Sequence, residues 1–446
     1  MKKSMFFALA ASSLLFSACS SDDAVVSTEG QNEAVQQIVL QVASSGDGLT
    51  TRAGRPLYSS QALQTIQHVR VLIYNTKTNA IVKDEQLDWT KSDKYDNHGR
   101  QHTLTYKGDQ RLGEGNYKVM AVGYSDNSDY TYALDVTGAS LTGKTYSDIT
   151  ATLKEGKKDA EEVFAGDAAL TIGDDKKITN LTQGEDDGVA VTLHRQVAGS
   201  FGYFCNIPAK VGDKTAKTLR LVVRDKNDVL TFKNFNSSFT TTNNTIQYYV
   251  NGSTSTVAPL ATDAKFKDGS NGYVLYSIDL NTWFKDGDKN NDGLLNADDT
   301  WARPTTVKTQ VVKGSVFGSN FVIPFKYTDG KSTMELQLLD TAGSIIKTWT
   351  VSIPESDLNK VAANGATDAT ASIFNVVRNH MYNLGVKTSN GTKTDPDPSN
   401  PDPDPKPDPD KPKPGTDEPE DLTKSQNLIL KVNDNWEAIH KLVLGD

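Results

Sequence analysis

Residues 68–74, HVRVLIY, and residues 117–124, YKVMAVGY, decide the fold class. Val69, Val71 and Ile73 fall on one side of an extended chain, with His68, Arg70 and Tyr74 on the other. Tyr117, Val119 and Ala121 repeat that two-residue period after the turn Gly113-Glu114-Gly115. A period of two is that of a strand, whose successive side chains point to opposite faces. The pattern extends both ways. Gln37 to Val42 precedes it, with Ile38, Leu40 and Val42 on one face, and Val189, Val191, Leu193 and Val197 form a later strand that can carry the chain from one half to the other. Leu219–Val223, Tyr273–Leu280, Phe321–Tyr327, Met334–Leu339 and Ile345–Ile353 continue the series between turn-rich loops. Spaced strands without intervening amphipathic helices predict an all-β chain of sandwiches, not a parallel α/β fold.

The bulk composition agrees. A chain of 446 residues is long enough for two or three cores, and 37% hydrophobic content with abundant polar turn residues suits β-domains. A net charge of -9 argues against nucleic acid as a partner, because no basic face is available to displace counterions. Lys2 and Lys3, the apolar run Met5 to Phe16 and the small residues Ser17-Ala18 before Cys19 read as an export signal, too short to span a bilayer. Cysteine at the cleavage point resembles a lipobox, so Cys19 is expected to be acylated, with Phe16 standing where Leu is more usual. The acidic run Ser20-Ser21-Asp22-Asp23 resembles tags that direct some Gram-negative lipoproteins to the outer face. With Cys19 lipidated, Cys205 has no partner for an intramolecular disulfide and reads as a small hydrophobe in a strand.

Near Thr394 the composition changes. Asp395 to Pro419 is mostly Asp-Pro and Lys-Pro, a semi-rigid polyproline spacer. At about 3.1 Å per residue it reaches on the order of 75 Å. Beyond it Asn427 to Val432 is a strand, Asn433-Asp434-Asn435 a turn, and Trp436 to Leu444 either a second strand or a short helix capped by Asp434 and Glu437. Some twenty residues cannot build a core alone. Behind a stiff spacer, they are expected to dock on another molecule.

These features together resemble the fimbrillins, the FimA-like type V pilins of Gram-negative anaerobes. The resemblance rests on acylated Cys19, an N-terminal strand ending at Thr51-Arg52-Ala53-Gly54, and a detached C-terminal strand pair with a Trp. Val163-Phe164-Ala165-Gly166, Leu193-His194-Arg195-Gln196-Val197-Ala198 and Arg378-Asn379-His380-Met381-Tyr382 add to it. It implies two transthyretin-like β-sandwich domains, a Pro-rich linker and C-terminal donor strands. It also implies a pilus shaft subunit whose first strand is removed by an Arg-specific, trypsin-like protease and replaced by a strand of the neighbouring subunit. Arg52 and Ala53 would flank the cut, since Pro56 follows the alternative Arg55. Leu428, Leu430, Val432, Trp436, Ile439, Leu442 and Leu444 would face the acceptor. The expected organisation is a lipoprotein signal over 1–19, a propeptide with the removable strand over 20–52, and sandwiches over 53–190 and 191–390. A linker over 391–424 and a donor segment over 425–446 complete it. Partners would be like subunits, anchor and tip subunits, the protease and, through the lipid, the outer membrane before processing.

The sharpest local motif is DKNNDGLLNADD, residues 288–299. It fits a twelve-residue calcium loop closest to the dockerin type, with oxygens at positions 1, 3, 5, 9 and 12 and Gly at 6. Asp288, Asn290, Asp292, the Leu294 carbonyl, Asn296 and Asp299 would be the ligands of a structural calcium ion; an ordinary polar turn is the plainer reading. Aspartate at position 12 is one methylene shorter than the usual Glu. His98 and His102 lack companions for a zinc site, and no nucleophile elbow or phosphate loop appears, so no enzymatic activity is expected. The rival reading is a surface glycan-binding lipoprotein of tandem sandwiches, which would need exposed aromatic platforms. The five tryptophans are spread along the chain.

Overall fold

A computed structural model describes residues 35–42, 66–95, 99–157, 159–182, 190–224, 226–232, 252–253, 263–307, 311–326, 334–352, 375–376, 381–385, 418–424, 427–429 and 431–433. Among them the regular structure is strand, with three short 3-10 turns and no α-helix. The chain is all-β, as its two-residue periods predict.

The first half contributes β1 (Gln36–Val42), β2 (His68–Asn75), β3 (Ile81–Asp88), β4 (Asp93–Tyr95), β5 (Gly99–Tyr106) and β6 (Gly115–Tyr124). It continues with β7 (Tyr130–Tyr132), β8 (Ile149–Leu153), β9 (Phe164–Ile172), β10 (Ile178–Thr182) and β11 (Ala190–Arg195). One sheet runs β3-β2-β6-β9-β11-β1-β5-β4, with β10 beside β9. Its two arms enclose one core: Val69, Val71, Ile73, Val119, Ala121 and Leu170 from β2, β6 and β9 meet Ile38, Leu40, Leu104, Val191 and Leu193 from β1, β5 and β11.

The other face of β2 and β6, where the sequence sets Arg70 and Tyr74 opposite the apolar side, is covered as well. Arg70, Leu72 and Tyr74 are buried, as Val69 and Val71 are. The covering layer is the stretch carrying β7 and β8, whose Tyr132, Val136, Leu141 and Ala151 pack with Leu72, Met120 and Val122. Alternation in β2 therefore separates two buried environments. Arg70 is tolerated there because its guanidinium pairs with the equally buried Asp84 and donates to the carbonyls of Gly138 at 3.0 Å and Ala139 at 2.9 Å.

After β11 only Gln196 and Val197 intervene before β12 (Ala198–Cys205), so one nearly continuous run links the halves. At this junction Arg195 and Glu162 form a buried ion pair, 2.7 Å apart, and the Gln196 N–H donates to the Val163 carbonyl at 2.8 Å. The second half stacks two sheets. One orders Ser315–Val322, β12, Met381–Leu384 and Lys431–Asn433; the other orders Ala264–Lys265, Asn271–Asp279, Lys214–Val223, Met334–Asp340, Ile345–Ser352 and Asn427–Ile429. Gly202 of β12 lies opposite Gly318. A Cβ on Gly202 would come within 2.4 Å of the Tyr276 hydroxyl, and one on Gly318 within 2.5 Å of Ile278 Cγ1. The glycine pair lets the facing sheet approach. The halves also share a sheet, since Val229–Phe232 pairs antiparallel with β8.

Candidate functional site

The first strand is an interior member of its sheet. β1 runs parallel to β11, from Val39 opposite Ala190 to Val42 opposite Leu193. On its other side it runs antiparallel to β5, from Gln36 opposite Tyr106 to Val42 opposite Arg100. Ile38 and Leu40 are completely buried, whereas Gln37 faces solvent. Burying two such side chains stabilises the sandwich by roughly 1.5–3 kcal/mol each.

Gln36 sets the register. Its side chain is 1% exposed, yet each of its polar atoms is satisfied. Nε2 donates to the Leu112 carbonyl at 2.9 Å and to the Lys176 carbonyl at 2.8 Å, while Oε1 accepts from the Leu112 N–H at 2.8 Å. One amide thereby closes the loop before β6 and the turn between β9 and β10 over the start of β1. Further along, Gln41 Nε2 donates to Thr192 Oγ1 at 2.9 Å. The sequence pattern begins this strand at Gln37 and gives Gln36 no role; no local signal reveals a partner 76 or 140 residues away.

Cys19, Arg52 and Ala53 lie outside the described residues, as do Leu430, Trp436, Ile439, Leu442 and Leu444. Leu428 is fully buried, and Val432 lies in the short strand Lys431–Asn433. The expectation that the tail stands away from its own chain is not met for its first part. Asn427–Ile429 runs parallel to Thr350–Ser352, and Lys431–Asn433 runs antiparallel to Met381–Asn383. The physical reason is edge pairing: both are end strands of the second half's sheets, and an open edge offers unpaired N–H and C=O groups.

Ahead of this, Glu420–Asp421 pairs with the end of β12, the Leu422 N–H donates to the Cys205 carbonyl at 3.2 Å, and Leu422 is buried. Asp421 fastens this turn, accepting from Asn206 Nδ2 at 3.0 Å and from Thr423 at its N–H (3.0 Å) and hydroxyl (2.7 Å). Burial would raise its pKa, but these donors and Lys424 outweigh that and hold the carboxyl at about 2. Burial, helped by Asp421, pushes the Cys205 thiol up to about 12, so it stays protonated.

The loop 288–299 turns about Asn291 and Gly293, both at positive φ (60° and 86°). Asp288 accepts from the N–H groups of Asp292 (3.1 Å) and Gly293 (3.0 Å), and Asp299 from those of Lys289 (2.8 Å) and Asn296 (3.0 Å). The Asn290 and Asn296 amides both donate to Asp292 Oδ2, at 3.0 and 2.8 Å. The Asn296 contact is the main reason Asp292 sits below the usual carboxylate range. The oxygen-only donor set suits a hard cation. In this arrangement the loop is closed by its own hydrogen bonds, and among the described residues no three Asp, Glu, His or Cys side chains converge to hold a metal.

No protein-family profile matches the chain, and no curated protein matches it. Several solved structures are similar to it. The tip fimbrial protein Mfa3 from Porphyromonas gingivalis, C-terminally truncated, aligns at 10% identity over 79% of this chain and 94% of its own, with a TM-score of 0.36. The fimbrial anchor protein Mfa2 from the same organism aligns at 10% identity over 79% and 90%, with a TM-score of 0.33. A fimbrial assembly protein from Parabacteroides distasonis aligns at 13% identity over 80% and 92%, with a TM-score of 0.31. These are loose superpositions, and the functional reading below rests on the strands of this chain.

Proposed function

We propose that this chain is a shaft subunit of a cell-surface pilus, exported as an outer-membrane lipoprotein through Cys19 and polymerised by strand exchange. The observation that carries the reading is the interior place of β1. It is flanked on both sides by strands of the first sandwich, yet only residues 43–65, which include Arg52, connect it to the chain that follows. Cutting after Arg52 turns β1 from part of the chain into a bound peptide. Its departure strips the ladders of β5 and β11 and uncovers the sites of Ile38 and Leu40, both unfavourable in water. A strand from a neighbouring subunit restores them, the backbone giving affinity and the alternating pockets giving register.

The tail beyond the proline spacer is the proposed donor, and its docking on its own second half is the state before assembly. The lipid at Cys19 leaves with the propeptide, so acylation tethers the precursor only until processing. The loop 288–299 is proposed to take up calcium in a structural role, through the oxygens of Asp288, Asn290, Asp292, Asn296 and Asp299 and the Leu294 carbonyl. A glycan-binding surface is less favoured: Trp89, Trp283 and Trp349 are buried and Trp301 is partly buried, so the described tryptophans form no exposed platform.

Treating the purified full-length protein with an Arg-specific protease and following size by native electrophoresis tests the reading. A ladder of polymers that vanishes when the residues after Lys424 are deleted is expected. Cleavage at Arg52 that leaves only monomer overturns it.

A further inference from the structure

The seven residues of β1 have a counterpart elsewhere in the chain. Residues 36–42 read QQIVLQV and residues 426–432 read QNLILKV. Gln36, Leu40 and Val42 recur unchanged as Gln426, Leu430 and Val432. Ile38 and Val39 are matched by Leu428 and Ile429, and the polar Gln37 and Gln41 by Asn427 and Lys431. The buried apolar positions Ile38 and Leu40 keep apolar side chains of similar volume, buried Gln36 keeps its amide, and exposed Gln37 keeps a polar side chain. Sliding the segment by one residue would put polar side chains into the core, because strand faces alternate.

The match at Gln426 is the informative one. Apolar residues at alternate positions would suit many grooves, whereas Gln36 is a buried amide making three hydrogen bonds to the backbone of Leu112 and Lys176. A strand that refills the slot without such a group leaves the buried N–H and carbonyl of Leu112 unpaired and the Lys176 carbonyl without this donor, at a cost that selects against it. Resting on the strand-exchange reading above, we propose that Gln426–Val432 of one subunit occupies the β1 slot of the next in the register and direction of Gln36–Val42, with Gln426 as the specificity-determining residue. Asn427 then lies opposite Thr105, as Gln37 does in the intact chain.

The tail also offers a poorer copy. His440-Lys441-Leu442-Val443-Leu444 follows β1 for five positions, but Gly445 and Asp446 then stand where Gln41 and Val42 do. A neutral imidazole has a single N–H, whereas the Gln36 amide supplies two donors and an acceptor. The two segments therefore predict different behaviour on substitution.

The test uses the full-length chain cleaved by an Arg-specific protease. Gln426→Ala should slow polymer formation about tenfold or more, and His440→Ala should leave it at the wild-type rate. The pair Asn427→Cys and Thr105→Cys should give disulfide-linked subunits on a denaturing, non-reducing gel. Wild-type kinetics for Gln426→Ala, or cross-linking through Lys441→Cys with Thr105→Cys instead, would overturn the register while strand exchange itself stood. Polymers that still form without the residues after Lys424 would sink the exchange reading and the register with it.

Discussion

Gln36 and Leu112 exchange two hydrogen bonds, Nε2 to the Leu112 carbonyl at 2.9 Å and the Leu112 N–H to Oε1 at 2.8 Å, in a site closed to solvent. The first strand is thus held at its start by a side chain that mimics a backbone partner. Elsewhere its hold comes from ladder bonds, from Ile38 and Leu40, and from the Gln41 amide on Thr192 Oγ1. Gln36→Ala in the uncleaved protein should lower stability by about 2–4 kcal/mol, because it leaves the buried N–H and carbonyl of Leu112 unpaired. Gln37→Ala, on the exposed side, should stay within about 0.5 kcal/mol. Urea denaturation midpoints compare the two.

Asp84 and Arg70 form a pair with side chains almost wholly buried. Burial pushes the Asp84 carboxyl up, but the Arg70 guanidinium and the Leu141 N–H outweigh it, so its pKa is lowered in the fold. The pair's contribution is therefore fully present above the unfolded value near 4 and is lost as pH falls through the lower folded value. Asp84→Asn should cost about 3–5 kcal/mol at neutral pH by leaving Arg70 charged and unpaired. It should also flatten the acid limb of the stability curve, read by thermal melts across pH.

Asp421 fastens the turn that leads into the tail. Its carboxyl sits at about 2, so this fastening is present above the ordinary aspartate range and fades as pH falls towards 2. Asp421→Asn should raise hydrogen exchange of residues 418–424 severalfold at neutral pH without changing that of β1. Unchanged exchange there would mean that Leu422 and the pairing with β12 hold the turn alone.

Gly202 and Gly318 pair across neighbouring strands of one sheet, beneath Tyr276 and Ile278 of the other. Gly202→Ala would set a Cβ 2.3 Å from Phe204 Cε2 and 2.4 Å from the Tyr276 hydroxyl. A loss of about 1–3 kcal/mol is expected, whereas Gly143→Ala, with open space around it, should show only the strain of its positive φ. Calorimetry on both variants separates packing from backbone effects.

Calcium should raise the melting temperature of the wild-type chain, and Asp288→Ala should abolish that rise. In calcium-free buffer Asp288→Ala should cost only the two turn hydrogen bonds to the N–H groups of Asp292 and Gly293, about 1–2 kcal/mol. An equal loss with and without calcium would mark the loop as a polar turn.

Strands with an apolar face over several residues, such as His68–Asn75 and Asn271–Asp279, were legible because their period is local. Ala198–Cys205 was legible only as a strand-like run around Cys205, without a readable face, and the first part of Ser315–Val322 was not legible, since Gly199, Gly202 and Gly318 interrupt the apolar pattern beneath the facing sheet. Burial on both sides of β2 was hidden for a similar reason: Arg70 reads as solvent-facing until Asp84 and the carbonyls of the loop 136–139 are placed around it. The interior position of β1 could be expected only through the fimbrillin resemblance. Its apolar alternation suits an edge strand equally well, and its neighbours β5 and β11 come from about 60 and 150 residues further along. Gln36 escaped notice because long-range side-chain bonds leave no periodic trace. The home docking of the tail was missed because a stiff proline spacer limits local flexibility without fixing which edge its far end meets.

Hydrogen–deuterium exchange over β5 and β11, before and after cleavage by an Arg-specific protease, follows the exchange of β1 at the strands that flank it. If β1 is exchanged, the 20–52 fragment dissociates, Gly99–Tyr106 and Ala190–Arg195 lose protection in cleaved monomer, and both regain it in polymers. Polymers in which the fragment stays bound, with β5 and β11 protected throughout, would contradict that exchange.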